Sequence, residues 1–455
     1  MERIGEALRS GDWLTRERVR LVAAAVLIAS VAGLLFLVAT AHGGVDMQGR
    51  PLGTDFSNVY AAGTYAWDGN VNAAFDPPQQ FAREQAIFGA ATQFYGWHYP
   101  PYFLFVAAGL AWMPYGLALA VWQTVTLGLY LLTMRGILVP SPRSPGEDQS
   151  EALSPLGSPT RKRPLTRTAT QPGLAPLTGK GEYLWLLLCL AFPAVLINAG
   201  HGQNGFLTAA LMGGALILLD RRPILAGLLF GLLVYKPQYG LLLPIALAAG
   251  GRWKCFAAAA VTVVALTVAT TLVFGASVWQ AFLDSTHFTR TVVLEQGNTG
   301  WYKIQSIFAW ARMWGAPIPL AYAIQGAGTV AIAAAIARLW HCATPYPLQA
   351  AALCVGTILS TPYSFDYDMM LLAPAIAFIV IDGLHRGFGP WEKSLLAGLW
   401  ITPLLARSVA HMSLVPIGVP AMIAVFLLIL HRSGVFRGAK SEPRLKSHDI
   451  AAFKS

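Results

Sequence analysis

The chain has 455 residues, of which 55% are hydrophobic and only 12% charged, with a formal net charge of +10. Soluble domains carry roughly 25% charged residues, so this chain cannot cover itself with a water-compatible surface and reads as an all-α, multi-pass membrane protein. Nucleic acid is excluded as a partner, because Lys and Arg cluster at the ends of apolar runs, as the positive-inside rule expects.

Arg3, Arg9, Arg16, Arg18 and Arg20 precede the first apolar run, 21–41, and place the N-terminus in the cytoplasm. Ala39-Thr40-Ala41 resembles a signal-peptide cleavage site. At 1.5 Å per residue, however, the run spans about 31 Å, a bilayer core, and far exceeds a signal h-region of about 7–15 residues. It is predicted to be an uncleaved helix. The stretch 42–99 then forms a long outer loop with only two basic residues, Arg50 and Arg83. It contains Gly53-Thr54-Asp55-Phe56 and Val59-Tyr60-Ala61-Ala62-Gly63. Aromatics at 56, 60 and 67 with small residues between them predict a short surface helix over 56–67. The loop ends in Gly96-Trp97-His98-Tyr99-Pro100-Pro101, where the prolines fix the chain as it re-enters the bilayer. The plain reading is an aromatic belt and a helix start. The functional one is that His98 and Tyr99 bind a phosphate or a sugar. The apolar piece Tyr102–Trp112 is too short to cross and is predicted to be re-entrant or interfacial.

Further spans are predicted near 115–135, 182–199, 204–220, 223–236, 240–251, 255–275, 317–338, 348–362, 369–384, 394–411 and 416–431, about twelve in all. Arg135, Arg221-Arg222, Arg252 with Lys254, Arg338, Arg386 with Lys393, and Arg432 then all mark inner ends. Several spans are short, which predicts helices ending below the bilayer surface and a cavity open to the outside. Residues 136–181 hold eight prolines and Arg161-Lys162-Arg163, and read as a disordered cytoplasmic loop within a transmembrane unit of residues 1–435. Residues 436–455 form a basic cytoplasmic tail. Cys189, Cys255, Cys342 and Cys354 form no CxxC pair, so neither a metal site nor a disulfide framework is expected.

The polar residues able to do chemistry collect on the predicted outer side. The turn Asn198-Ala199-Gly200-His201-Gly202-Gln203-Asn204-Gly205 offers more hydrogen-bonding side chains than a helix cap requires. Lys236, before Pro237-Gln238, is a charge inside the membrane and suits an anionic headgroup, although it could instead snorkel to the surface. The outer loop 276–316 adds His287, Arg290, Glu295, Trp301, Lys303 and Gln305. Thr361-Pro362-Tyr363-Ser364-Phe365-Asp366-Tyr367-Asp368 interleaves Asp366 and Asp368 with aromatics, a pattern suited to sugar recognition.

In this order, Asp55-Phe56 with Val59-Tyr60-Ala61-Ala62-Gly63, Trp97-His98-Tyr99-Pro100-Pro101, Gly202-Gln203-Asn204, Arg222-Pro223 with Ala226-Gly227, and Lys236-Pro237 resemble a known family. It is the polyprenol-phosphate-mannose-dependent alpha-(1,2)-mannosyltransferases, glycosyltransferase family 87 of the GT-C superfold. The resemblance implies a bacterial inner-membrane enzyme with its active site on the extracytoplasmic side. It would move a hexose, mannose by analogy, from a polyprenyl phosphate to a lipid or glycan acceptor, with inversion. By position Asp55 matches the catalytic acid. Tyr60, His98, Tyr99, His201, Gln203, Asn204, Lys236, Gln238, Arg290, Lys303, Asp366 and Asp368 are the candidate substrate contacts. The family often carries a late Ser-Pro...Ser-Trp...His-His run, and here 361–368 stands in its place without histidine. No nucleotide cradle is present, which fits a lipid-linked donor, and no cofactor is expected. A secondary transporter is the rival reading. Against it stand the long first outer loop and the placement of most acids at the membrane surface rather than the midplane.

Overall fold

The computed structural model describes residues 2–139 and 183–435. The expected disordered loop, beyond its first four residues, and the basic tail lie outside the described residues. Every regular element among the described residues is helical. In the first part these are α1 (Glu2–Ser10), α2 (Arg16–Ala39), α3 (Phe56–Trp67), α4 (Pro77–Phe88), α5 (Leu104–Ala111) and α6 (Tyr115–Leu138). The second part opens with α7 (Leu184–Leu190), α8 (Pro193–His201), α9 (Gly205–Leu218), α10 (Pro223–Leu232), α11 (Leu243–Ala249), α12 (Trp253–Phe274) and α13 (Ser277–Phe288). It closes with α14 (Ile307–Met313), α15 (Ile318–His341), α16 (Tyr346–Leu359), α17 (Leu372–Arg386), α18 (Glu392–Ser413) and α19 (Gly418–Ser433).

A helix stands at each of the twelve expected span positions, but length separates them. Six segments are long and apolar enough to cross a bilayer: α2, α6, α12, α15, Asp366–Arg386 and α18. α7 and α8 are bent by 47° and make a seventh if counted together. The apolar helices at Pro101–Ala111, Gly205–Leu218, Pro223–Tyr235, Pro237–Ala249, Tyr346–Leu359 and Gly418–Ser433 have 10–17 residues. At 1.5 Å per residue these reach at most about 26 Å, short of a bilayer core of about 30 Å. Proline sets several of the limits. Pro193, Pro223 and Pro237 open helical segments, where a missing N–H costs nothing, and each disfavours helix in the residue before it.

Small residues set the closest packing. Gly227 and Gly231, one turn apart on α10, face Cys255 and Thr262 of α12, and a Cβ at Gly227 would overlap the Cys255 carbonyl. This is close backbone approach of the kind that holds helices together where lipid removes the hydrophobic drive. α3 lies at its expected position, and eight of its twelve residues are buried. Gly63 lets it sit so tightly on α5 that a Cβ there would overlap the Ala107 carbonyl.

Ion pairs join helix ends that carry the basic residues. Asp220 pairs with Arg252 at 2.7 Å. Asp382 holds both Arg386 and Arg432 at 2.6 Å, and Arg432 also holds Glu392. The N-terminus is fastened to this second cluster. Trp391 N donates to the Arg9 carbonyl at 2.7 Å, the Ser394 hydroxyl to the Leu8 carbonyl at 2.7 Å, and Trp13 Nε1 to Ser394 Oγ at 2.8 Å. Arg407 lies about four turns along α18 from Glu392, roughly 22 Å, and the polar residues described next gather around it.

Candidate active site

Asp55 occupies the position before α3 but makes no capping bond with its side chain, so its carboxylate is turned elsewhere. Its Oδ2 accepts from Gln203 Nε2 at 2.8 Å. Gln203 Oε1 accepts from the Tyr99 hydroxyl at 3.0 Å. The buried amide therefore bridges a phenol and an acid, and each partner fixes one end of it. The turn that carries Gln203 can seat here because of Gly202. Its φ is +62°, and a Cβ would lie 2.5 Å from that of Phe56 and 3.0 Å from the Gly53 carbonyl. Trp122 Nε1 pins the same turn by donating to the Gly202 carbonyl at 3.0 Å.

His201, on the same turn, faces the other way. Its Nδ1 lies 2.7 Å from Thr54 Oγ1 and its Nε2 lies 3.3 Å from Arg407 Nη2. A guanidinium can only donate, so in this contact Nε2 is the acceptor and Nδ1 faces Thr54. Arg407 also donates from Nε to Asp366 Oδ2 at 2.7 Å, with Nη2 equally close. Asp366 is sealed from solvent, while the Arg407 side chain is 37% exposed and its Nη1 has no hydrogen-bond partner among the described residues. The sequence reading passes over Arg407, although a charge deep in the apolar helix 394–411 is itself a signal of function.

Lys236 finds a different partner from the anion expected of it. Its Nζ lies 2.5 Å from Asp368 Oδ1, with both side chains almost fully buried. The rings of Tyr239 and Tyr367 flank the ammonium at 5.4 and 5.2 Å. Asp368 Oδ2 accepts from Phe365 N at 2.9 Å. Lys236 thus anchors the 361–368 segment, and its charge is already matched. Lys303 is half-buried, and among the described residues no ion pair engages its ammonium. Burial and the neighbouring Arg407 charge hold it below the ordinary lysine value, while Asp55 and Asp366 partly offset them.

Other candidates lie apart or serve packing. The Tyr60 hydroxyl donates to the Met113 carbonyl at 3.0 Å. Arg290 is exposed and pairs with Glu295 at 3.5 Å. Asn204 is buried, and its side chain makes no hydrogen bond among the described residues. His98 Nδ1 lies 2.8 Å from Thr289 Oγ1, and burial pushes the imidazole down to about 4, against a small opposing effect of Asp55. Gln238 lines a largely apolar cavity of about 570 Å³ with Phe230, Leu233, Leu241, Leu247 and Val263. This cavity is lined by α10, α11 and α12, by the Pro237–Gly240 segment between α10 and α11, and by Ser360, Thr361 and Pro362.

Residues 97–362, more than half of the chain, match the family model described as Glycosyltransferase family 87. No curated protein and no solved structure matches the chain. The matched region contains Tyr99, His201, Gln203, Lys236 and Lys303 and ends before Asp366. Asp55 precedes it.

Proposed function

The chain belongs to glycosyltransferase family 87, and on that premise we propose that this membrane glycosyltransferase moves a hexose from a polyprenyl phosphate to a lipid or glycan acceptor, with inversion and with Asp55 as general base. Mannose is the sugar that the resemblance implies. The observation that carries this reading is the joining of Asp55, through the 201–203 turn, to the Arg407–Asp366 pair. It sets a carboxylate and a partly exposed guanidinium on either side of one turn.

The chemistry needs little more. The acceptor hydroxyl attacks the anomeric carbon as the bond from that carbon to the phosphate oxygen breaks. The electron pair leaves with the phosphate, and the hydroxyl proton passes to Asp55. A positioned carboxylate typically contributes about 10²–10⁴-fold. Gln203 holds one carboxylate oxygen and leaves the other for the acceptor. Arg407 and Lys303 stabilise charge on the departing phosphate. The apolar cavity lined by Gln238, Leu241 and Val263 takes the first prenyl units of the donor. Lys236 acts in this scheme by holding the 361–368 segment rather than by touching phosphate. The reaction takes place on the extracytoplasmic face of the bacterial inner membrane, with both termini in the cytoplasm.

The test is a transfer assay with purified protein in detergent, a panel of polyprenyl-phosphate sugars and membrane lipid extract as acceptor. Transfer from a polyprenyl-phosphate hexose is the expected result. Turnover of sugar nucleotides alone would overturn the donor assignment.

A further inference from the structure

Glu84 lies on α4, outside the chemistry described above, and is fully buried. Both of its oxygens are engaged by one short stretch of backbone. Oε2 accepts from Tyr95 N at 2.9 Å and Oε1 from Gly96 N at 3.1 Å, with Gln80 Nε2 also on Oε1 at 3.4 Å. A single carboxylate therefore clamps two consecutive peptide groups. Gly96, at φ +66°, turns the chain immediately afterwards. Three residues beyond it, Tyr99 donates to Gln203, and Gln203 donates to Asp55. Gln80 also donates to the Asn58 carbonyl at 3.1 Å, in the first turn of α3 after Asp55. α4 thus grips both approaches to the proposed base, α3 through Gln80 and the 95–99 arm through Glu84.

We infer that Glu84 is a positioning residue of the transferase, holding the 95–99 arm so that Tyr99 and Gln203 present Asp55 to the acceptor. This rests on the reading of Asp55 as the base. An arm that needed only anchoring could be held by apolar contact, whereas a buried acid is costly to keep. What the acid supplies is a double acceptor of fixed geometry. Of the charged and titratable groups, Asp55 at the start of α3 acts on it directly, and Tyr95, whose N–H it accepts, also feels Asp46 and Arg50 of the preceding loop. Arg83, on its own helix, is turned to Asp68. Burial pushes the Glu84 carboxyl up to about 7, against the hydrogen bonds from Tyr95, Gly96 and Gln80. Ionised, it accepts both N–H groups. Protonated, it loses acceptor capacity at one oxygen and the clamp loosens.

The experiment compares full-length wild type, Glu84→Gln, Asp55→Asn and the double variant, each purified in detergent. An amide has one acceptor oxygen, so Glu84→Gln leaves one of the two N–H groups unmet. The expected result is a kcat lowered about tenfold, the size of one lost charge-assisted hydrogen bond, with the donor KM little changed. A rise in wild-type activity centred near pH 7 should vanish in Glu84→Gln. Adding Glu84→Gln to Asp55→Asn should leave the residual rate unchanged, since there is no longer a base to position. Wild-type kcat and pH profile in Glu84→Gln, beside an inactive Asp55→Asn, would refute the positioning role and leave the base intact. An active Asp55→Asn would instead remove the base assignment itself. If Glu84→Gln does not fold, Tyr99→Phe breaks the same chain downstream. It should lower kcat while keeping the rise near pH 7, and an unchanged kcat there overturns the inference.

Discussion

Lys236 and Asp368, 132 positions apart in sequence, meet with Nζ 2.5 Å from Oδ1, and both side chains are almost sealed from solvent. Removing one partner leaves a buried charge without compensation, which costs about 3–5 kcal/mol. Asp368→Asn should therefore lower thermal stability in detergent by that much. The double variant Lys236→Met with Asp368→Leu should recover most of the loss. A double variant no more stable than Asp368→Asn would show that the two residues are not coupled.

Asp55→Asn keeps the shape of the side chain and the acceptor for Gln203 Nε2, but it cannot take a proton. Transfer should fall by about 10²–10⁴-fold with the melting temperature unchanged. Donor binding should survive, because the proposed lipid and phosphate contacts lie on other elements. A well-folded variant turning over near the wild-type rate would sink the assignment.

Arg407→Lys retains the charge and loses the planar fork that reaches both Asp366 and His201. At about 1.5–3 kcal/mol for a hydrogen bond to a charged group, kcat/KM for the donor should fall by about 10- to 100-fold. Steady-state kinetics with varied donor would measure it. An unchanged kcat/KM would mean that the guanidinium edge faces no substrate.

Two groups at the Asp55 side of the chain oppose each other in pH. Burial pushes His98 down to about 4 from 6.5 and Glu84 up to about 7 from 4.5. The unfolded chain binds a proton at His98 that the folded chain refuses, so this contribution is complete above pH 6.5 and is lost as pH falls towards 4. The folded chain keeps a proton on Glu84 that the unfolded chain releases, so that contribution is complete below pH 4.5 and is lost as pH rises through 7. Stability of His98→Gln should therefore fall as pH climbs from 4.5 to 7. Stability of Glu84→Gln should fall as pH drops from 6.5 to 4. Wild type should be flatter than either, as thermal melts across that range would show.

Cysteine-accessibility labelling checks the orientation. A cysteine at Met47, which is exposed, should react from outside intact cells, and one at Ser150 should not. The reverse pattern would invert the topology.

The apolar runs located the helices well, because hydropathy needs only local sequence. The break at Pro237 was legible and already divides 223–236 from 240–251, but Pro193 bends the single run read as 182–199 by 47°, which hydropathy alone does not show. α3 was legible in its limits, yet Ala61-Ala62-Gly63 reads equally as a surface helix or as a seam for α5, and only the tertiary partner decides. At the site, Lys236 stood out as a charge in an apolar stretch, but its partner is a long-range fact that no local spacing encodes. The same holds for Gln203 and Asp55, 148 positions apart. Arg407 was readable by the same rule that flagged Lys236 and was missed because its helix looked like an ordinary span.

The latch between the N-terminus and residues 391–394 bears on how the protein is made. α2 buries only Ala23 and Ser30 against the rest of the molecule, while Trp13, just before it, donates to Ser394, 381 positions later. At about 5–20 residues per second on the ribosome, roughly 20–75 s separate the synthesis of the two halves of this contact. Throughout that interval α2, the first helix long and apolar enough to cross a membrane, is without its fastening. Its almost uninterrupted apolar surface equips it to wait, so the latch is a late step of biogenesis, made only after residue 394 has emerged.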